Sequence, residues 1–122
     1  MRLSRSWLVA FVAALAWPSM ILAHAMPKTE EPAAGTTLRV EPAEVSIIFS
    51  ETVNPHFSGI VVRNAQGTRV DNGSLRPDPG NAARLTVGLM PPVGAGAYTV
   101  LWHVLSSDGH RTQGSYHFTV SP

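Results

Sequence analysis

A carboxylate and an imidazole stand two residues apart near the end of the chain, in the segment Ser107-Asp108-Gly109-His110. Asp-Gly between two strands is a common signal for a two-residue hairpin turn. Asp108 and His110 also offer one oxygen and one nitrogen, which is half of a metal site and a weak signal alone. These four residues by themselves fit either a simple turn or a metal-binding loop.

The strands predicted on either side of this segment disfavour the simple turn. Their more apolar faces both fall on even positions, which are Tyr98, Val100, Trp102, Val104, Tyr116, Phe118 and Val120. A two-residue turn at Asp108 and Gly109 would pair even positions with odd ones and set apolar side chains beside polar ones. A longer loop or a bulge restores the match. We therefore expect Asp108 and His110 to lie on an open loop at one end of the sheet.

Residues 1–23 have the composition of a secretory signal peptide. Arg2 and Arg5 supply a positive start, residues 7–17 are apolar, and small residues occur before position 24. The apolar run is too short for a membrane span, and no other stretch is a candidate, so we expect the mature chain not to be embedded in a membrane. Removal of residues 1–23 leaves seven Lys and Arg against eight Asp and Glu, a formal charge of −1.

Cleavage after Ala23 would begin the mature chain at His24, whose α-amine and imidazole can chelate one cation together. With Asp108 and His110 the set becomes three nitrogens and one oxygen, which suits tetragonal Cu(II). The pattern Ala23-His24-Ala25 also permits cleavage after Ala25, which would discard the histidine. The local sequence leaves both cleavage sites open.

Charge and cysteine content exclude several classes of function. The seven basic residues of the mature chain are scattered, so we expect no nucleic-acid partner and no binding to an anionic membrane surface. Cysteine is absent. Any metal must therefore be held by nitrogen and oxygen ligands, and thiol chemistry is excluded.

The mature chain predicts an all-β fold. Short apolar or alternating runs separated by Pro, Gly, Asn and Asp predict strands at residues 37–40, 45–50, 58–64, 68–70, 84–89, 98–106 and 114–120. No segment keeps a helical apolar period over three turns. Residues 24–122 are therefore predicted to form one domain, an Ig-like antiparallel β-sandwich of about seven strands.

Three segments carry a combined motif. They read HAMPKTEEPAAGTTL from His24, VSIIFSETVNPHFSGI from Val45, and GAYTVLWHVLSSDGHRTQGSYHFTV from Gly96. Together they resemble the CopC-like periplasmic copper-binding proteins, whose motifs are His-Ala-x-Leu-x-x-Ser-x-Pro-Ala-x-Gly, Phe-Ser-Glu and Ser-x-Asp-x-His. The resemblance spans residues 24–120. It implies an Ig-like β-sandwich, cleavage after Ala23, and one Cu(II) per chain held by His24, Asp108 and His110.

The same resemblance implies a periplasmic copper carrier or buffer in copper resistance or homeostasis, often beside a CopD-type inner-membrane protein, and no enzyme activity. This chain departs from the family pattern at Pro27 and Glu30, so we expect the N-terminal arm to pack differently. It also lacks the Met-rich loop of some relatives, because its mature part has only Met26 and Met90. We therefore expect a Cu(II) site without a separate Cu(I) site.

The remaining histidines have ordinary interpretations. His117 falls on the polar face of the last strand and is expected to be exposed. His103 is expected to be half-buried and hydrogen-bonded, and His56 to be an exposed turn residue. Either of these two could still assist the site. Trp102 is expected to anchor the core.

Two other functions fit parts of the sequence. An N-terminal histidine chelate also occurs in copper oxygenases that attack polysaccharides, but these need an exposed platform for the substrate. Here Tyr98, Trp102, Tyr116 and Phe118 fall on the predicted core faces. A metal-free structural β-sandwich, in which Asp108 is a turn residue and His24 is lost, is the third alternative.

Overall fold

The computed structural model describes residues 24–122 of the chain. The predicted signal peptide and its removal after Ala23 lie outside the described residues. In the described part, no helix is long and apolar enough to cross a membrane.

Two four-stranded sheets make up the domain, which confirms the predicted all-β sandwich. In one sheet the order is β1-β3-β6-β5, and in the other it is β2-β8-β7-β4. The strands are β1 (Pro27–Glu31), β2 (Thr37–Leu38), β3 (Glu44–Phe49), β4 (Gly59–Asn64), β5 (Asp71–Asp78), β6 (Asn81–Leu89), β7 (Gly96–Leu105) and β8 (Arg111–Val120). A short 3₁₀ helix, η1 (Pro55–Phe57), precedes β4. The pairing is antiparallel except for β2, which runs parallel to β8.

The strand pattern differs from the predicted one at the sheet edges. Strands β1 and β5 were not predicted, and residues 68–70 form only an isolated bridge between Arg69 and Arg63. Both missed strands lie at an edge of their sheet and are largely exposed, charged or interrupted by proline. Edge strands tolerate such residues because one side of their backbone has no neighbouring strand, so the apolar pattern does not reveal them.

Strands β7 and β8 pair so that even positions face even positions. Val100 lies opposite Tyr116 and Trp102 opposite Gly114, which keeps the apolar side chains of both strands on the inner face. Trp102 packs edge-on against Phe49 with ring centroids 5.4 Å apart. A methyl group at position 114 would stand 2.6 Å from Cζ2 of Trp102, so the glycine makes room for the indole. The prediction that Trp102 anchors the core is confirmed.

This register excludes the two-residue turn. The last pair of the ladder is Leu105 with Arg111, so residues 106–110 form the connection, as the matching of apolar faces predicted. The backbone N–H of Ser106 donates to the His110 carbonyl at 2.9 Å. Gly109 has φ +89°, in the left-handed region that favours glycine. We call residues 106–110 the metal loop.

Residues 24–31, here called the N-terminal arm, are part of the sandwich. Ala25 is completely buried, and β1 pairs with β3 along its length. The register shifts between Pro27 and Thr29, and Glu30 is only partly exposed on the far side of this irregularity. The arm therefore fixes the position of His24 through the fold itself rather than hanging in front of the first strand.

Glu30 and Tyr116 each carry a buried polar atom without a hydrogen-bond partner. These atoms are Oε2 of Glu30 and the hydroxyl of Tyr116. Burial raises the pKa of Glu30; burial, and after it the charge of Glu30, raises the pKa of Tyr116. When it is ionised, a carboxylate oxygen that is buried without a hydrogen-bond donor lowers the free energy of unfolding, so the folded state becomes less stable.

We predict that Glu30→Gln stabilises the protein at pH 7. A carboxyl group whose pKa is raised in the folded state binds its proton more tightly there, so stability falls as the pH rises above the ordinary value of 4.5. The neutral amide removes that loss. We expect the thermal midpoint at pH 7 to rise by up to a few degrees and the gain to vanish near pH 4.

Glu31→Gln is the matched control, because Glu31 is the next residue of β1 and is exposed. It should leave the midpoint nearly unchanged at both pH values. A lower midpoint for Glu30→Gln than for the unmodified chain at pH 7 would contradict the interpretation.

Candidate metal centre

The metal loop holds Asp108 and His110 against each other. Asp108 Oδ1 accepts a hydrogen bond from the Ser106 hydroxyl and one from the His110 backbone N–H at 3.0 Å. The hydrogen bond from Ser106, followed by that from the His110 backbone, lowers the pKa of Asp108 to about 2. The Nδ1 atom of the His110 ring lies 3.1 Å from the same carboxylate oxygen. Asp108 is therefore ionised at neutral pH and stands next to an imidazole.

The N-terminal arm holds His24 from two sides. On the side of β3, the Ser50 hydroxyl accepts from the Met26 N–H at 3.0 Å and donates to the His24 carbonyl at 3.3 Å. On the side of β8, the Thr112 hydroxyl donates to the Ala25 carbonyl at 2.7 Å. These contacts, together with the burial of Ala25, set the direction in which His24 leaves the sandwich.

The arm and the metal loop meet at one end of the sandwich. The rings of His24 and His110 lie edge to face, with centroids 5.0 Å apart and an interplanar angle of 76°. The Nδ1 atom of His24 is buried and has no hydrogen-bond partner. A buried ring nitrogen without a partner is unfavourable unless something else satisfies it. The structure thus brings together all three residues that the sequence proposed as ligands.

This arrangement has the donors for a metal ion but not a finished coordination shell. Adjacent ligands of a tetragonal site, each about 2.0 Å from the metal, stand about 2.8 Å apart. The side chains of His110 and Asp108 approach to 3.1 Å, measured between Nδ1 and Oδ1, so both side chains can reach one ion, although Oδ1 itself already accepts hydrogen bonds from the loop. Within residues 24–122, no group of three or more His, Cys, Asp and Glu side chains already has a metal-holding arrangement. Small side-chain rotations, and an α-amine at His24, would still be required.

The other three histidines of the described residues are all exposed. His117 is exposed, as predicted, and its Nδ1 lies 3.0 Å from the Thr99 hydroxyl. His56 is exposed at the middle of η1. The expectation of a half-buried His103 was wrong, because His103 points outward from β7 and its ring covers Gly59. Alternation along β7 places this residue on the outer face, opposite to Trp102 and Val104.

Sequence reasoning did not single out the polar residues that support the cluster. Ser50, Ser106 and Thr112 contact the arm or the loop directly. Glu51 follows Ser50, and its Oε1 atom is buried without a hydrogen-bond partner. The available signals were the Phe-Ser-Glu run at the end of β3 and the serine two residues before Asp108. The Phe-Ser-Glu run and this serine were both part of the motifs found in the sequence, but the motifs did not indicate what these residues contact.

Comparison with known proteins agrees with this fold. The CopC domain model matches residues 28–121. Protein YobA of Escherichia coli strain K12 is 33% identical over 113 residues, which cover 93% of this chain and 90% of YobA. The crystal structure of CopC from Methylosinus trichosporium OB3b aligns with a TM-score of 0.75 and 31% identity, covering 81% of this chain and 95% of that one.

A second solved structure extends the comparison. PcoC from Escherichia coli, described as a methionine-rich copper resistance protein, aligns with a TM-score of 0.71 and 28% identity over 81% of this chain and all of PcoC. The family model covers most of the chain, and the relatives match it over nearly their whole length. This chain belongs to the CopC family.

Proposed function

We propose that the mature protein binds one Cu(II) ion through the α-amine and imidazole of His24, the carboxylate of Asp108 and the imidazole of His110. The observation that carries the proposal is the meeting of His24 and His110 at 5.0 Å beside Asp108, with His24 Nδ1 buried and unpartnered. Three nitrogens and one oxygen suit tetragonal Cu(II). Membership of a family with copper resistance proteins supports copper as the metal.

Each residue has a distinct part in holding the ion. His24 contributes a chelate whose two nitrogens come from one residue, so binding the first brings the second into place. Asp108 brings a negative charge at neutral pH, because the Ser106 hydrogen bond keeps the pKa of its carboxyl low, and this charge offsets part of the charge of the cation. His110 completes the set with a neutral ring nitrogen, and the metal must displace a proton wherever that ring is protonated.

The position of the site fits a carrier or buffer for copper in the periplasm. The side chains of His110 and Asp108 are 47% and 40% exposed, so a second protein can approach the ion and compete for it. The proposed role is copper resistance or homeostasis, with copper as cargo, after export and cleavage behind Ala23. A CopD-type inner-membrane protein is the proposed partner for transfer.

The geometry gives no support to a copper oxygenase. Tyr98, Trp102, Tyr116 and Phe118 are all buried, and among residues 24–122 the exposed aromatic side chain is Phe57. No flat aromatic surface is therefore offered to a polysaccharide beside the cluster by these residues. Asp108 would also take a coordination position that an oxygenase needs for its co-substrate.

We predict that Asp108→Ala and His110→Ala each weaken Cu(II) binding by about 100-fold or more, because each removes a ligand. Competition with a Cu(II) chelator measures the affinity, and the EPR spectrum should change with each variant. His117→Ala is the matched control, since His117 is an exposed histidine of the same strand that begins after the metal loop. An unchanged spectrum in both ligand variants would refute the ligand set.

We predict that the site depends on where the mature chain begins. One alanine left in front of His24 converts the α-amine into a peptide nitrogen without a basic lone pair, although the imidazole remains. Cu(II) affinity should fall by orders of magnitude, while the thermal midpoint of the metal-free form stays nearly the same. Mass spectrometry of the exported protein should give a chain that starts at His24. Equal affinity and identical EPR parameters in the extended chain would exclude the N-terminal chelate.

We predict that Cu(I) binds much more weakly than Cu(II). Soft Cu(I) prefers thioether and thiolate ligands, whereas the mature chain has no cysteine and only Met26 and Met90. These two methionines lie far apart in sequence and each is about half exposed. Competition with a Cu(I) chelator under reducing conditions tests this expectation. Stoichiometric Cu(I) binding that resists the chelator would contradict this prediction and show that the protein has a separate Cu(I) site.

A further inference from the structure

Ser106 is a buried polar residue at the point where β7 ends and the metal loop begins. It is only 3% exposed. Its backbone is fixed independently of its side chain: the N–H donates to the His110 carbonyl at 2.9 Å, and the carbonyl accepts from the Gly109 N–H at 3.0 Å. A bridge to Val53 ties the same residue to the neighbouring loop. The point from which the hydroxyl extends is thus fixed by the backbone.

The hydroxyl makes one side-chain contact, and that contact is with Asp108. The Ser106 O–H donates to Oδ1, which also accepts from the His110 backbone N–H. In the part of the chain that the structure describes, Oδ2 of Asp108 accepts no hydrogen bond from a protein donor. One carboxylate oxygen is therefore bound to the loop, and the other is left for a ligand from outside.

We infer that Ser106 is a positioning residue for copper, which orients the Asp108 carboxylate so that Oδ2 is presented to the ion beside the His110 ring. This inference rests on the proposed function. The side chain of Asp108 is 40% exposed, so packing alone does not hold its rotamer. A hydrogen bond from a fixed donor restricts the carboxylate before the metal arrives. Such supporting contacts commonly change metal affinity by about 10–100-fold.

The test compares Ser106→Ala with Ser107→Ala. Both remove one serine hydroxyl from adjacent positions, but Ser107 is exposed, and it contacts the neighbouring loop through its backbone N–H, which donates to the Thr52 carbonyl. Ser106→Ala should weaken Cu(II) binding by about 10-fold or more and alter the EPR parameters. Ser107→Ala should leave both unchanged. Ser106→Thr, which keeps the hydroxyl, should restore most of the affinity.

A double-mutant cycle with Asp108→Ala separates positioning from a general loss of structure. If Ser106 acts through Asp108, its removal should have no further effect on Cu(II) affinity once Asp108 is alanine. The thermal midpoint of each metal-free variant is measured in parallel. Ser106→Gly provides a second hydroxyl-free variant if the alanine variant does not fold.

The measured affinities test the role of Ser106 separately from the proposed copper ligands. A normal affinity in Asp108→Ala would overturn the copper ligand set itself. A large effect of Asp108→Ala with none from Ser106→Ala would leave the ligand set standing and overturn the role of Ser106. Equal losses from Ser106→Ala in both backgrounds would also overturn it, because the serine would then act independently of Asp108.

Discussion

The antiparallel ladder between β7 and β8 is the constraint on which both the core and the proposed metal centre depend. Its ten pairs, from Gly96–Val120 to Leu105–Arg111, set even positions opposite even positions and odd positions opposite odd ones. The inner face of this ladder supplies Tyr98, Val100, Trp102, Val104, Tyr116, Phe118 and Val120 to the core. A shift of one residue would move this whole set to solvent. Burial thus fixes the register, and the register leaves five residues to connect the strands.

The proposed metal centre would join the first and last parts of the domain. Asp108 and His110 come from the connection between the last two strands, while His24 comes from the arm that pairs with β3 in the opposite sheet. Ala25 is buried between the two sheets, and Thr112 holds its carbonyl. A metal bound by both halves would therefore bridge the two sheets. Its binding free energy would add to the free energy of unfolding, as for any ligand that prefers the folded state.

The sequence predicted the strands that have an apolar inner face and missed two of the four edge strands, β1 and β5. It also named three residues, His24, Asp108 and His110, that lie at one end of the fold. Strands β3, β4, β6, β7 and β8 have apolar inner faces, so alternation revealed them within one to three residues. Strands β1 and β5 did not follow this pattern, because backbone pairing on one side holds an edge strand whose side chains are mostly polar. The exposure of His103 was also predicted wrongly. Leu101 and Leu105 lie on the same face of β7, so this exposed face had a partly apolar sequence pattern. The contacts of Ser50, Ser106 and Thr112 depend on how distant segments meet, which no local pattern encodes.

The length of β8 sets a fixed distance between its two ends, one of which lies beside His110. The strand begins beside the metal loop at Arg111 and ends ten residues later at Val120, and such a strand extends about 30 Å. A spin label attached just beyond Val120 would therefore lie at a fixed, long separation from a paramagnetic ion at His110. The label would also leave the opposite end of β8, beside His110, accessible. Distance measurements between the two electron spins could then follow the occupied site inside a larger assembly.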